Sequence, residues 1–259
     1  MTLQLENVMS DFIYPDWPAP DSVKSVMTTR SGGTSLPPFD SMNLGLHVDD
    51  DRSVVLENRA VLKKKLALPN DPLWLNQVHG TKIANHAQFK EGDDADAVVS
   101  HSVNDVCAIM TADCLPVLFC NKQGTVVAAA HAGWRGLQSG ILEKSVANMN
   151  CDPNDIIVWL GAAISQDSFE VGEEVREAFV SVHGESEAAF VRNPQNNEKW
   201  LADIYELAKI HLGKVGISSE AIYGGGRCTY KEDALFFSYR REARTGRMAS
   251  LIWLSQAGD

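Results

Sequence analysis

Between residues 95 and 131 the chain carries four short apolar runs, "ADAVVS", "VCAIMT", "LPVLFC" and "TVVAAAH", separated by turn-prone pieces. Runs of this length and composition read as strands, and "NKQG" between the last two reads as a hairpin loop, which makes that pair antiparallel. "SVKSVMTTR", "IIVWLG" and "SLIWL" add strands on either side, and "RSGGTSLPPFD" at Arg30 to Asp40 is the strongest loop. Helical spacing is confined to other stretches. Asp51 or Ser53 caps a helix through Leu66, with Val55, Leu62 and Leu66 on one face. Leu137, Ile141, Ser145 and Met149 share a face, as do Val175, Ala178, Phe179 and Val182 ahead of Gly184, and a further helix runs from Asp203 to about Leu212. Helices and grouped strands mix without strict alternation. The expectation is an α+β fold with mixed, partly antiparallel sheets flanked by helices. No internal repeat or low-complexity tract divides the chain, so residues 1–259 are expected to form a single domain, with 1–20 as an N-terminal extension and first strand.

Charge narrows the choice of partner. The chain has 23 Lys and Arg against 34 Asp and Glu, a formal charge of −11, which opposes binding to a polyanionic phosphate backbone. Nucleic acid is therefore not expected as a partner. No apolar run approaches a membrane span, and the first residues show neither the basic nor the apolar region of a secretory signal, so a cytoplasmic location is expected. Five cysteines, an odd number, fit a reducing compartment better than a disulfide scaffold.

Cys114 stands out among them. In "MTADCLPVLFC" it follows the polar Thr111 and Asp113 and precedes Pro116, which suits a strand start or edge, whereas Cys120 lies inside the apolar run. It is a core thiol, a nucleophile or a metal ligand. Of seven histidines, His183 and His211 fall at helix C-terminal turns, where a cation suits the dipole, and His86 and His101 read as surface residues. His47 stays open. His79 ends an apolar stretch in "LWLNQVHGTK", and His131 heads a Gly-rich turn in "VVAAAHAGWRG", where small residues let a backbone or ligand approach and Arg135 offers an anion contact. Each also reads as a core histidine beside a tight turn. Two imidazoles and one thiolate are a donor set used by catalytic zinc sites with an open fourth position, but the spacing of these three matches no compact zinc motif. Asp113 beside Cys114 would raise a thiol's pKa, which favours a metal ligand over a free nucleophile.

The segments "TTRSGGTS", "SMNLGLHVDDD", "ENRAVL", "NQVHG", "TADCLPVLF", "AAAHAGWRGL", "FEVGEEV", "RCTY" and "FFSYRREARTGRMASLIWL" resemble the YfiH-like family. Its members are variously described as peptidoglycan-editing factors, multicopper polyphenol oxidoreductases and relatives of the laccase-domain-containing protein. The resemblance implies the CNF/YfiH-like hydrolase fold and a metal triad of His79, Cys114 and His131, normally read as zinc, with copper as the alternative ion. It implies purine nucleosides and phosphate as partners: phosphorolysis of adenosine, inosine and methylthioadenosine, with deamination of adenosine. Arg135 is the first choice for the phosphate contact, with Arg30 and Arg240 behind it and Asn43 as a further substrate contact. The zinc deaminase signature H-x-E followed by P-C-x-x-C is absent. Copper-dependent oxidation of polyphenols lacks the histidine supply of a multicopper centre, and a cysteine hydrolase with Cys114 attacking is the third reading. Monomer and homodimer stay open.

Overall fold

The computed structural model describes residues 11–90 and 93–256. The first ten residues of the expected N-terminal extension lie outside them. The larger sheet runs in the order β13 (Ile222–Gly224), β9 (Ile156–Leu160), β7 (Leu115–Asn121), β8 (Val127–Ala132), β5 (Ala97–Ser100), β4 (Ile83–Asn85). Its central pairs are antiparallel and its two outer pairs parallel. A second sheet runs β1 (Phe12–Ile13), β2 (Val23–Thr28), β14 (Met248–Leu254), β6 (Cys107–Thr111), β3 (Leu73–Trp74), with only the last pair parallel. A small third sheet joins β10 (Glu170–Val171), β12 (Asn196–Ala202) and β11 (Phe190–Asn193). The mixed α+β architecture expected from the sequence is the one observed, and the "NKQG" hairpin links β7 to β8.

The two large sheets face each other, and helices cover their outer sides. Along β7, Leu115, Val117 and Phe119 point to the helices while Leu118 and Cys120 point to the second sheet, as the period of two requires. Both faces are covered, which is why this strand is an unbroken apolar run rather than an alternating one. Each such side chain, fully buried, contributes roughly 1.5–3 kcal/mol. α1 (Arg52–Lys65) packs Leu62 on the outside of the second sheet, and α2 (Trp134–Gln138), α3 (Ile141–Asn148), α4 (Glu173–Val180) and α5 (Ile204–Lys214) pack on the outside of the first. No helix among the described residues is long and apolar enough to cross a membrane.

Several local expectations need correction. Asp51, not Ser53, caps α1, accepting from the Ser53 amide at 2.7 Å. The buried face includes Asn58, whose amide spans Ser35, Ser41 and Asn43 and braces the loop before the helix. The Leu137 to Met149 pattern is two helices, because Gly140 at φ 90° turns the chain between them. α4 stops at Val180, which leaves Val182 exposed and Gly184 outside the helix. Pro116 is the second residue of its strand, near the start as expected, but the strand is central and not at an edge. His86 is half-buried against Asp105 rather than a surface residue.

Candidate metal centre and its cavity

β5 and β7 begin, and the antiparallel β8 ends, on the same side of the larger sheet. Pro116 pairs with His131 and Ala97 with Ala130, so Cys114, just before β7, Asp96, just before β5, and His131 near the end of β8 are neighbours. By strand parity all three project toward the second sheet, on the face carrying Val98, Leu118 and Ala129. His79 arrives from the loop between β3 and β4 with a left-handed backbone, φ 61°. Strain of that kind in a non-glycine residue persists only where the surroundings hold it.

The holding group is Asp96, fully buried and missed by the sequence reading. Its carboxylate accepts the amides of Val78, His79 and Gly80 at 3.2, 2.9 and 2.7 Å. It also faces His131 Nδ1 at 2.8 Å. A carboxylate only accepts, so Nδ1 carries a proton and Nε2 is the nitrogen left to face a metal. One buried side chain thus sets the place of one imidazole and the tautomer of the other, the arrangement that orients metal-ligating histidines. The only trace of it in the sequence is an acidic residue entering an apolar run, in "DDADAVV".

Cys114 Sγ lies 3.9 Å from His79 Nε2, and the two imidazoles meet edge to face with centroids 4.7 Å apart. One donor atom from each of His79, Cys114 and His131 falls within 4.8 Å of the other two. Gly133 leaves the space between them open: a Cβ there would sit 2.9 Å from His79 Cδ2, 3.1 Å from Cys114 Sγ and 3.5 Å from His131 Nε2. Two borderline nitrogens and one soft sulfur around a cradle of this size fit zinc or copper. Gly133→Ala keeps an allowed backbone, φ −65°, yet fills the cradle. It is expected to lower zinc affinity at least about tenfold with an unchanged circular dichroism melt, read by competition with a coloured chelator.

With protein groups alone, burial would raise the Cys114 thiol, but the hydrogen bond and charge of His131, aided by His79, bring it down to about 6. Burial disfavours the His131 cation, yet Asp96 and Cys114 together raise it to about 9. The expected effect of Asp113 on the thiol is overturned. Its carboxylate turns away, accepting from Thr229 Oγ1 at 2.6 Å and from the Arg240 amide at 2.7 Å.

The triad forms one wall of a cavity of about 460 Å³, large enough for a small organic ligand. Arg135 and Arg240 line it, as does Arg247, which the sequence reading missed. Arg135 stacks on Trp134 at 4.4 Å, and Arg240 donates to the Glu170 carbonyl at 3.1 Å. Asn43 and Arg30 are not brought there. Asn43 is a buried brace whose oxygen accepts from the Gly45 and Arg247 amides, both at 2.9 Å. The Arg30 guanidinium is engaged by the Asp40 and Asp233 carbonyls and covers Phe237.

Residues 24–255 match the family model described as multi-copper polyphenol oxidoreductase laccase. The chain belongs to this YfiH-like family. It is 53% identical over 247 residues to the purine nucleoside phosphorylase YfiH of Escherichia coli (strain K12), covering 95% of this chain and 100% of that one. A purine nucleoside phosphorylase of Pseudomonas aeruginosa is 52% identical, covering 95% and 99%. Among solved structures, a Neisseria meningitidis protein superposes with a TM-score of 0.90 at 47% identity, covering 95% and 100%. YlmD of Geobacillus stearothermophilus gives 0.87 at 30% identity, covering 95% and 97%. The YfiH-like chain is thus an enzyme with a His-Cys-His metal-type centre.

Proposed function

We propose that this YfiH-like chain is a zinc-dependent purine nucleoside phosphorylase acting on adenosine, inosine and methylthioadenosine, with adenosine deamination in the same cavity. The observation that carries the reading is the meeting of three metal-type donors with Arg135, Arg240 and Arg247 around one cavity. The phosphorylase names of its relatives support it.

Phosphorolysis joins a phosphate oxygen to ribose C1′ and breaks the bond from C1′ to the purine nitrogen. The cavity must therefore hold an anion beside the sugar and stabilise charge on the departing base. The three arginines supply cationic donors for the phosphate. Phe169, Trp134 and Tyr239 offer aromatic surface to the purine. Zinc bound by His79, Cys114 and His131 would supply a Lewis acid with an open coordination place. Asp96 keeps His131 Nε2 presented to it.

A second reading has its own observation. A Cys114 thiol brought to about 6, beside His131 with Asp96 behind it, has the order of a cysteine hydrolase triad. Metal analysis of protein purified without added copper, followed by inosine and adenosine turnover before and after chelation, separates the two. Purine release that needs both phosphate and metal supports the phosphorylase. Chelator-resistant turnover independent of phosphate sinks it in favour of the hydrolase, and activity gained only on copper loading sinks it in favour of oxidation chemistry.

A further inference from the structure

Away from the cavity, a second set of metal-type donors meets where three helical elements converge. Glu143 lies in the first turn of α3, His211 in the last turn of α5, and His183 in the turn that follows α4. One donor atom from each lies within 4.8 Å of the other two. None of the three lines the cavity.

Two contacts recur from the His79 centre, although Asp96 there orients a histidine and is not one of the three donors. His211 Nδ1 stands 2.6 Å from Glu143 Oε1, as His131 Nδ1 stands 2.8 Å from Asp96. The rings of His183 and His211 meet edge to face at 4.9 Å and 76°, against 4.7 Å and 73° for His79 and His131. Sequence reasoning explained His211 by the helix dipole, but its side chain is only 1% exposed, is engaged by Glu143 and meets the Phe179 ring at right angles.

The decisive observation is what these groups lack. His211 Nε2 and Glu143 Oε2 are both shielded from solvent, and neither has a hydrogen-bond partner among the described residues. Moving protons does not repair this. With the proton on Nδ1, the Nε2 lone pair is bare; with both nitrogens protonated, Nε2–H is a donor without an acceptor. Buried polar atoms left in that condition call for a missing partner, and a cation can take a lone pair from nitrogen or from oxygen.

We propose that Glu143, His183 and His211 form a second metal site, selective for a divalent ion of the zinc type, that ties α3, α5 and the turn after α4 together. Two imidazoles and a carboxylate are a zinc donor set, and the absence of sulfur disfavours copper(I). The half-buried His183 leaves a side open to solvent. The site's role is stabilisation of the helical layer, independent of the chemistry in the cavity.

The test uses the full chain carrying Cys114→Ala, stripped by chelation and reloaded with zinc alone. Metal counting after equilibrium dialysis is expected to give one bound equivalent, and zinc is expected to raise the Tm by several degrees. Adding His183→Ala should remove both effects. Glu143→Gln in the same background keeps the volume of the side chain and should do likewise if the alanine variant folds poorly. Cobalt in the Cys114→Ala protein should show d–d bands without the sulfur charge-transfer band. No zinc bound by the Cys114→Ala protein, or an equivalent that survives both His183→Ala and Glu143→Gln, overturns the proposal.

Discussion

Cys114→Ala is expected to remove stoichiometric zinc and to lower kcat/KM for inosine phosphorolysis at least about 1,000-fold, some 4 kcal/mol of transition-state stabilisation. The thiolate is the one soft donor of the three, and it stands 3.9 Å from His79 Nε2. Two imidazoles would remain, one fixed by Asp96 and one on an exposed loop. His79→Ala and His131→Ala are expected to do the same, because a three-donor site has no spare ligand. Circular dichroism melts separate loss of metal from loss of fold, with elemental analysis as the readout. A variant that kept full zinc would exclude its residue from the centre, and unaltered phosphorolysis in Cys114→Ala would end the case for metal-assisted chemistry.

Asp96→Asn is expected to act at a distance from the substrate and still be severe. The carboxylate holds three consecutive amides and the His131 ring while fully buried. An asparagine presents one oxygen where two are used, and its NH2 group faces donors. Zinc affinity should fall about 10–100-fold, as for other carboxylates that orient a ligating histidine. Removing one partner of a buried charge pair should cost a further ~3–5 kcal/mol of stability, measured by urea denaturation with chelator present.

The pH dependence of that loss distinguishes a charge effect from a packing effect. Burial opposes ionisation of Asp96, but the His131 hydrogen bond and charge outweigh it and hold the carboxyl below its ordinary 3.8. Its contribution is therefore present above that value and lost as pH falls through the lowered pKa. His131, raised from 6.5 to about 9, contributes below 6.5 and loses its share as pH rises through about 9. The gap between the native protein and Asp96→Asn should be widest between these limits and narrow below pH 3.8. A gap constant from pH 3 to 9 would assign the loss to packing alone.

How far the site was legible depends on which residues carried it. His79, Cys114 and His131 each sit where the local pattern changes abruptly, so residue type and position along a strand were enough to single them out. Asp96 sits in a run of acidic residues, and only its pairing alongside β8 makes it the one that faces inward. Arg247 enters the cavity from the far end of the chain because β14 pairs with β6 and because Asn43 holds its amide. Arg30 and Asn43, expected as phosphate and substrate contacts, bond instead to Asp40 and to Gly45 and Asp50 nearby in the chain.

The helices followed the same division. Asp51 and Asp203 act as caps through contacts two or three residues away, so local sequence suffices to place the starts of α1 and α5. The break between α2 and α3 depends on Gly140 adopting φ 90°, and Gly136 allows the Gly80 carbonyl to approach its backbone. A periodic pattern carries no sign of such a turn.

From the amino acids alone came the strand and helix segments, the α+β class and the kinds of donor available, since period, caps and side-chain chemistry act over a few residues. Tertiary structure decided which donors meet. Strand register brings Cys114 and His131, 17 positions apart, together, and a single buried carboxylate holds both the His79 loop and the His131 ring in place. Both depend on contacts between segments distant in the chain, where local preferences have no reach.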